Sequence, residues 1–270
     1  MVKLHSLGLT TDLMFIDYNG SISSRENYYV VRTVSNPSFW YGNLLIFDAP
    51  PAPGDFERWI ALFKKEIAEK QKTQHMVFLW DTVNGEKGTT DQFLKYGFEL
   101  DQTVVLTTNQ VILPGKYNAD IKVRVLESDE DWDQALINQI KCRDESNGET
   151  SEDHTKFKGT QMANYRAMQI DGLGNWYGAF LDKVLIGDLG LFFQEKTGRF
   201  QNVGTHPDYR RKGVCATLVY EVSKMALLNH NLEHLVMVAD ENYHAAGIYE
   251  SVGFKATEHL VGLCNNQYHY

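Results

Sequence analysis

The stretch that decides the fold is Val203-Gly204-Thr205-His206-Pro207-Asp208-Tyr209-Arg210-Arg211-Lys212-Gly213-Val214-Cys215-Ala216-Thr217-Leu218. It begins as a short strand that ends at a His-Pro turn, and it continues through a basic loop that contains one glycine. Apolar side chains then recur at helical spacing, which predicts an amphipathic helix that ends near Asn229-His230-Asn231. The predicted order is therefore strand, basic loop and helix.

The basic loop has the properties of an anion site. The first turn of a helix leaves backbone N–H groups without intrahelical partners, and the helix dipole adds partial positive charge there. Gly213 lets the backbone approach a ligand closely, and Arg210, Arg211 and Lys212 add full positive charges. Together these features suit a pyrophosphate. For the basic tripeptide taken alone, a solvated helix start is the alternative interpretation.

A weak internal repeat relates the two halves of the chain. Phe93-Leu94-Lys95-Tyr96-Gly97-Phe98-Glu99 resembles Tyr249-Glu250-Ser251-Val252-Gly253-Phe254-Lys255, because both run from an aromatic residue through three others to Gly-Phe. Each copy lies between two predicted apolar strands, at residues 75–80 and 103–106 and at residues 235–238 and 259–263. In the second copy the glycine is placed to end a helix in a left-handed conformation.

A boundary between the halves is predicted near Leu113-Pro114-Gly115-Lys116-Tyr117-Asn118, where Pro and Gly mark a turn and polar residues suggest a solvated connection. A strand is predicted at residues 121–125, followed by a helix with Ser128 as N-cap and Asp131 three positions later. Two further strands, at residues 176–181 and 184–193, are joined by a predicted hairpin turn.

The second half resembles the acetyl-CoA-dependent N-acyltransferases of the GNAT superfamily, over about 150 residues from Ile121 to Tyr270. The cofactor motif of that family is Arg/Gln-x-x-Gly-x-Gly/Ala, and this sequence has Arg210-x-x-Gly213-x-Cys215, with Cys where Gly or Ala is usual. The second family signature is a helix with an early Asn, then small residues, then Tyr-x-x-x-Gly-Phe. It matches the stretch from Asn242 to Phe254.

The resemblance implies an α+β fold with two GNAT-like lobes, each a mixed, mostly antiparallel twisted sheet flanked by helices. Residues 119–270 would form the catalytic N-acetyltransferase domain. Residues 1–118 would form a degenerate GNAT-like domain without a cofactor loop. In that half the corresponding stretch, Phe47-Asp48-Ala49-Pro50-Pro51-Ala52-Pro53-Gly54-Asp55, has no Arg or Lys, and its prolines lack the N–H donors that an anion needs. Asp55 is predicted there as a helix N-cap.

The resemblance also implies which residues contact acetyl-CoA. The strand before the loop would pair with the pantetheine arm, and the loop and two helices would hold the rest. The implied cofactor-binding residues are Val203, Gly204, Thr205, Arg210, Arg211, Lys212, Gly213, Val214, Cys215, Ala216, Asn242, Ala246 and Tyr249.

The implied reaction is direct attack of a primary amine on the acetyl thioester, with Tyr249 as the general acid for the departing thiolate. Many relatives have a glutamate on the strand before the loop, whereas this strand offers Phe200, Gln201 and Asn202. Possible substitutes for the base are His154, Asp188 and Glu195. Cys215 is interpreted as a small apolar residue rather than a nucleophile. The alternative function is a non-catalytic acyl-CoA-binding sensor or regulator.

Composition limits the partners. The formal net charge is -9, which argues against nucleic-acid binding, and no apolar stretch is long enough for a membrane helix. The 3 cysteines are odd in number and widely spaced, so no metal site is indicated and a reducing cytoplasm is expected. A small-molecule or peptide amine is the expected acceptor. The acidic run from Asp144 to Asp153 would favour a cationic one, with a solvated loop as the alternative.

Overall fold

The protein is described here as a computed structural model that covers residues 3–142, 151–230, 232–241 and 245–267. The α-helices are α1 (Leu7–Asn19), α2 (Asp55–Phe63), α3 (Glu69–Gln71), α4 (Asp91–Lys95), α5 (Asp129–Lys141), α6 (Ser151–Ile170), α7 (Val214–Asn229) and α8 (Ala245–Glu250). The strands are β1 (Ser21–Ser24), β2 (Tyr28–Arg32), β3 (Asn43–Phe47), β4 (Met76–Trp80), β5 (Glu99–Thr108), β6 (Lys122–Val125), β7 (Gly174–Leu181), β8 (Val184–Gln194), β9 (Thr197–Thr205), β10 (His234–Asp240) and β11 (Lys255–Asn265).

The chain forms two compact units. The first unit contains the described residues within 1–105, 238–243 and 256–270, and the second contains those within 106–237 and 244–255. The strand order is β1-β2-β3-β4-β11-β5 in the first unit and β10-β9-β8-β7-β6 in the second. Pairing is mostly antiparallel, with parallel pairs at β3–β4 and β9–β10. The predicted α+β fold with mixed, mostly antiparallel sheets is therefore confirmed.

The last strand of the chain belongs to the first unit. Residues Gly262 to Asn265 of β11 pair antiparallel with β4, and a side chain at Gly262 would lie 2.4 Å from a Leu79 methyl carbon. The carboxylate of Glu258, also on β11, accepts hydrogen bonds from the backbone N–H groups of Leu7 and Gly8 at the start of α1. The two compact units therefore do not correspond to residues 1–118 and 119–270, because β11 lies in the first sheet. The predicted boundary stays a prediction about the two halves of the sequence.

The internal repeat has a counterpart in backbone geometry. Gly97 and Gly253 both have positive φ, 97° and 107°, and both follow a short helix. The N–H of the next residue, Phe98 or Phe254, donates to the carbonyl of the aromatic residue five positions earlier, at 3.0 and 3.2 Å. Both glycines therefore end a helix in the left-handed conformation, as predicted for the second copy. The aromatic residue is Phe93 in the first unit, so it has no hydroxyl.

Helix starts also correspond between the units. Gly54 before α2 and Gly213 before α7 are both left-handed N-caps, with φ of 91° and 77°. The prediction of Asp55 as an N-cap is wrong, because Gly54 holds that position and the Asp55 carboxylate accepts from the N–H of Ala52 at 2.9 Å. The predicted cap at Ser128 is confirmed. Its side chain and that of Asp131 form a reciprocal capping box at the start of α5.

Aromatic packing fills the first unit where β3 ends. The Phe47 ring stacks on the Trp59 ring of α2 with centroids 3.7 Å apart, and the Trp59 ring contacts Phe78, Trp80 and Phe93. The parallel pairing of β3 with β4 continues to the last residue of each strand, Phe47 opposite Trp80. A segment of the first unit bonds the backbone of the loop after β3, since the N–H of Thr89 donates to the Pro51 carbonyl at 2.6 Å. Strand pairing and aromatic rings therefore occupy this end of the unit.

The two parallel strand pairs differ at their carboxyl ends. In the second unit β9 pairs with β10 only at its start, where Thr197, Gly198 and Arg199 lie opposite residues 234–236. Among the described residues, β9 shows no pairing with β10 from Phe200 to Thr205, so that edge of the strand is unpaired there. A ligand arm can add to such an edge, whereas the β3–β4 pair offers none.

We predict that the chain binds one CoA, because the first unit lacks cations in its loop and closes the edge of β3. Calorimetric titration of the full chain with CoA should give a stoichiometry near one. The Arg210→Ala, Arg211→Ala variant is the control, since it should weaken the single site without revealing another. A wild-type stoichiometry of two would contradict the assignment of the first unit.

Candidate functional site

A β-bulge interrupts β9 in the second unit. Gly204 lies opposite Asp188 of β8, and Gln201 lies opposite Gly190. Between these pairs β8 has one residue, Leu189, whereas β9 has two, Asn202 and Val203. Asn202 has a φ of 46°, in the left-handed region. A bulge of this kind turns backbone groups out of the strand ladder, which frees them for a ligand.

Side chains behind the bulge hold it by hydrogen bonds. The Gln139 side-chain amide of α5 donates to the Asn202 carbonyl at 2.8 Å and to Asp188 Oδ1 at 3.0 Å. The Asn202 side-chain amide donates to Gln161 Oε1 of α6 at 2.7 Å. The bulge is therefore fastened to both helices that cover this face of the sheet.

Asp188 is the charged centre of this network. It is fully buried, and it accepts from Asn138 Nδ2 at 2.6 Å, Gln139 Nε2 at 3.0 Å and Trp176 Nε1 at 2.9 Å. Burial raises the pKa of Asp188 to about 7, although the three donors act in the opposite direction. Its two oxygens are turned toward protein N–H groups, so a substrate does not reach it. This geometry counts against Asp188 as the base that accepts a proton from an amine.

The loop after β9 is built on two left-handed residues. Arg211 has a φ of 64° and Gly213 a φ of 77°. A Cβ at Gly213 would lie 2.2 Å from the Lys116 carbonyl oxygen, so only glycine fits there. Helix α7 begins at the next residue, and its first N–H groups point into the loop. The predicted strand, loop and helix are confirmed, with α7 ending at Asn229 as expected.

The cations of the loop lie at the surface. The Arg210 Nε donates to the Thr205 carbonyl at 3.4 Å, and Lys212 Nζ donates to the Asp208 carbonyl at 3.1 Å. A shallow cavity of about 380 Å³ adjoins them, lined by Lys116, Tyr117, Asn118, Ala119, Asp120, Arg211, Lys212 and Gly213. Positive charge and backbone N–H groups therefore face the same region, as an anion site requires.

The connection between the halves is part of this region. The backbone N–H of Asn118 donates to Thr217 Oγ1 at 2.7 Å, and its side-chain amide donates to the Lys212 carbonyl at 2.9 Å. The Tyr117 hydroxyl donates to Glu221 at 2.9 Å. The predicted solvated connection is largely exposed, and its polar residues in addition bond the start of α7.

The cysteines near the end of β9 are not activated. Burial raises the pKa of Cys142 to about 11 and that of Cys215 to about 12. The Cys142 thiol donates to the Thr205 carbonyl at 3.3 Å. Thiols with such pKa values are almost wholly protonated at neutral pH. Neither group is therefore prepared as a nucleophile, in agreement with the interpretation of Cys215 as a small packing residue.

Tyr249 is buried in the last turn of α8. Its ring contacts that of Phe254 at 6.5 Å, and Phe254 contacts Phe200 of β9 at 5.9 Å. This chain of rings connects the second motif to β9 within the second unit. Ala246 is half-buried on the same helix, whereas Asn242 lies outside the described residues.

The other polar candidates are dispersed. His154 is buried on α6, and Glu195 is exposed in the turn between β8 and β9. Of the acidic run, Glu152 and Asp153 are exposed at the start of α6, and residues 143–150 lie outside the described part. Sequence reasoning missed Asn138, Gln139 and Gln161, because an amide on a helix carries no local sign of its partner.

Among the described residues, no cluster of His, Cys, Asp and Glu has the arrangement of a metal site. No helix in the same part of the chain combines the length and apolarity that a membrane span requires.

Comparison with known proteins identifies the second half. Residues 137–254 match the sequence model of the Acetyltransferase (GNAT) family. The chain contains a GNAT acetyltransferase domain. This GNAT domain includes the bulge, the basic loop, α7 and the second motif. No curated protein matches the chain.

Solved structures share the fold over nearly the full length. A functionally unknown conserved protein from Staphylococcus epidermidis has a TM-score of 0.76 at 14% identity, covering 94% of this chain and 97% of its own. A GCN5-related N-acetyltransferase from Kribbella flavida has a TM-score of 0.66 at 12% identity, covering 97% and 96%. A tandem GNAT protein from the clavulanic acid biosynthesis pathway has a TM-score of 0.53 at 12% identity, covering 91% and 83%. At these sequence identities the similarity concerns the fold alone.

Gly213→Ala should destabilise the GNAT domain by about 1–3 kcal/mol, because alanine is strained at positive φ and its Cβ meets the Lys116 carbonyl. Denaturant unfolding measures the loss. Gly159→Ala in α6 is the matched control, since a Cβ there has nothing within 4 Å and should stabilise by about 0.5–1 kcal/mol. Equal effects of the two substitutions would show that the loop does not require glycine.

Proposed function

We propose that the protein is an N-acetyltransferase that transfers the acetyl group of acetyl-CoA to a primary amine. The observation that carries this proposal is the convergence, within the GNAT domain, of the bulged edge of β9 with the left-handed, basic start of α7. The first supplies free backbone groups for an extended arm, and the second supplies an anion site at one end of it.

The chain offers a distinct contact to each part of acetyl-CoA. The loop from Arg210 to Ala216 would hold the pyrophosphate with backbone N–H groups and cations. The edge of β9 at Val203, Gly204 and Thr205 would pair with the pantetheine amides. A backbone N–H of the bulge would polarise the thioester oxygen, where negative charge develops in the transition state.

The chemistry then needs only proton transfers. The neutral amine nitrogen attacks the carbonyl carbon, the C–N bond forms and the C–S bond breaks. The thiolate leaving group takes a proton from the Tyr249 hydroxyl, the amine loses its proton to solvent, and solvent returns a proton to Tyr249. The raised pKa values of Cys142 and Cys215 keep these thiols protonated, which supports direct transfer over an acyl-enzyme on either cysteine.

Release of CoA from acetyl-CoA in the presence of a panel of amines tests the proposal. A primary amine that is acetylated with saturation kinetics supports it. Tight CoA binding without turnover for any amine would instead support the acyl-CoA sensor.

We predict that Arg210→Ala with Arg211→Ala weakens CoA binding. A charge-assisted hydrogen bond to phosphate contributes about 1.5–3 kcal/mol, so the loss should exceed tenfold in Kd. Calorimetry measures it. Lys224→Ala on α7 is the control for general loss of charge, because its ammonium lies 5.9 Å over the Tyr220 ring, away from the loop. Unchanged affinity of the double variant would remove the loop from the site.

We predict that Tyr249→Phe lowers kcat on the order of 100-fold, because it removes the proton donor and keeps the ring. The Kd for CoA should change little. Turnover must be measured with a saturating acceptor. Tyr220→Phe is the control, since Tyr220 lies on α7 and its ring packs against that of Tyr117. If Tyr249→Phe retains the wild-type kcat, the tyrosine only packs.

A further inference from the structure

The carboxylate of Asp188 acts at a distance from any substrate. Each of its contacts is a protein N–H group, and its side chain has no exposed surface. Taking a charge out of water is costly, and the three hydrogen bonds offset part of that cost.

The side-chain amide of Gln139 connects the Asp188 carboxylate to the backbone of the bulge. The nitrogen of the Gln139 side chain has two hydrogens, and it donates to both Asp188 Oδ1 and the Asn202 carbonyl. The carboxylate therefore fixes the rotation of the amide, and the amide fixes the direction of the carbonyl. Because a peptide unit is planar and trans, the Asn202 carbonyl and the Val203 N–H point in opposite directions. Holding the carbonyl toward α5 turns the Val203 N–H away from it.

We propose that Asp188 is a positioning residue that, through Gln139, aims the Val203 N–H at the thioester oxygen of the bound acyl-CoA. This inference rests on the acetyltransferase function proposed above and deepens it. The oxyanion donor of the bulge is thereby set by a buried carboxylate on the neighbouring strand.

Gly204 shows how closely the network fits against β9. A Cβ at this position would lie 3.0 Å from Gln139 Nε2, 3.1 Å from Asp188 Oδ1 and 3.2 Å from the Cys142 sulfur. The glycine lets the carboxylate and amide reach the strand. Its role is thus to admit the network, in addition to any contact with cofactor.

The network also makes the donor sensitive to pH. Protonation of Asp188 turns one acceptor oxygen into a hydroxyl, so one of its three N–H partners loses its acceptor. The cation that acts on Asp188 is Lys158 of α6, whereas Arg210 of the loop acts on the neighbouring thiol of Cys142, just after α5. The charge of Lys158 favours the carboxylate. Since the pKa of Asp188 is about 7, the geometry should loosen as the pH falls through that value.

The same shift predicts the direction of the stability change. The pKa of Asp188 is raised from 3.8 in the unfolded chain to about 7 in the folded protein, so the folded state binds the proton more tightly. The stability contributed by this group is present below pH 3.8 and lost as the pH rises through about 7. As the pH rises through about 7, ionisation of Asp188 should therefore raise activity and lower the free energy of unfolding.

The test compares Asp188→Asn, Gln139→Leu and the control Gln134→Leu. Gln134 lies on the same helix, and its amide also bonds strand backbone, at the Leu185 N–H and the Lys183 carbonyl, away from the bulge. We expect kcat to fall roughly tenfold or more in the first two variants, since loss of an oxyanion donor costs about 100- to 1000-fold. CoA affinity should stay within about threefold. Gln134→Leu should keep kcat within about twofold.

Two further readouts separate positioning from folding. The Val203 amide signal in the nitrogen–proton correlation spectrum of the free protein should shift in Asp188→Asn and Gln139→Leu and stay in place in Gln134→Leu. The decline in kcat below about pH 7 should be weaker in Asp188→Asn than in the wild type, with the same acceptor. A merely structural role would leave the pH dependence of kcat unmoved.

The outcomes are distinct. A wild-type kcat in Gln139→Leu overturns the proposal, and if Asp188→Asn is then inactive, the carboxylate acts by another route. An unmoved Val203 signal in both variants overturns it as well. A wild-type protein that binds CoA and acetylates no amine refutes the acetyltransferase function itself, which the turnover panel shows before any variant is made.

Discussion

The bulge at Asn202 and Val203 is the constraint around which the GNAT domain is arranged. One residue of β8 faces two of β9, so backbone groups leave the ladder and become available on the strand edge. A left-handed residue such as Asn202 persists only where its surroundings fix it. Here the surroundings are amides from α5 and α6, together with the carboxylate of Asp188. The helices that cover the sheet therefore control the backbone geometry of β9 at the bulge.

The two halves of the chain show which parts of this architecture carry the site. Both keep the left-handed glycine before a helix and the glycine that ends a short helix before the next strand. The first half has Phe93 in place of a tyrosine, prolines in place of cations, and a β3 strand that pairs with β4 up to its last residue. Its Phe47 and Trp59 rings stack at the end of that strand. The glycine geometry and the core packing recur in both halves although the loop residues differ, because they do not depend on the chemistry of the loop.

Segments far apart in sequence complete each unit. The last strand of the chain, β11, completes the first sheet and supplies Glu258 to the start of α1. The connection near Asn118 bonds the start of α7 and lies against the basic loop. The polar linker and the last strand thus stabilise parts of the structure that lie far from them in sequence. This is why the compact units cut across the halves that the repeat defines.

The sequence by itself determined the features that depend on neighbouring residues. The helix after Gly213, the capping box at Ser128 and the left-handed ends at Gly97 and Gly253 follow from local backbone sterics and short-range hydrogen bonds. The order of motifs also indicated the GNAT family. Only the tertiary structure decided the partner of β11, the packing of the connection and the network of Gln139 and Asp188. Those contacts join residues some 50 or more positions apart, and a carboxylate or an amide in a strand or helix has the same local pattern whether it faces water or a buried partner.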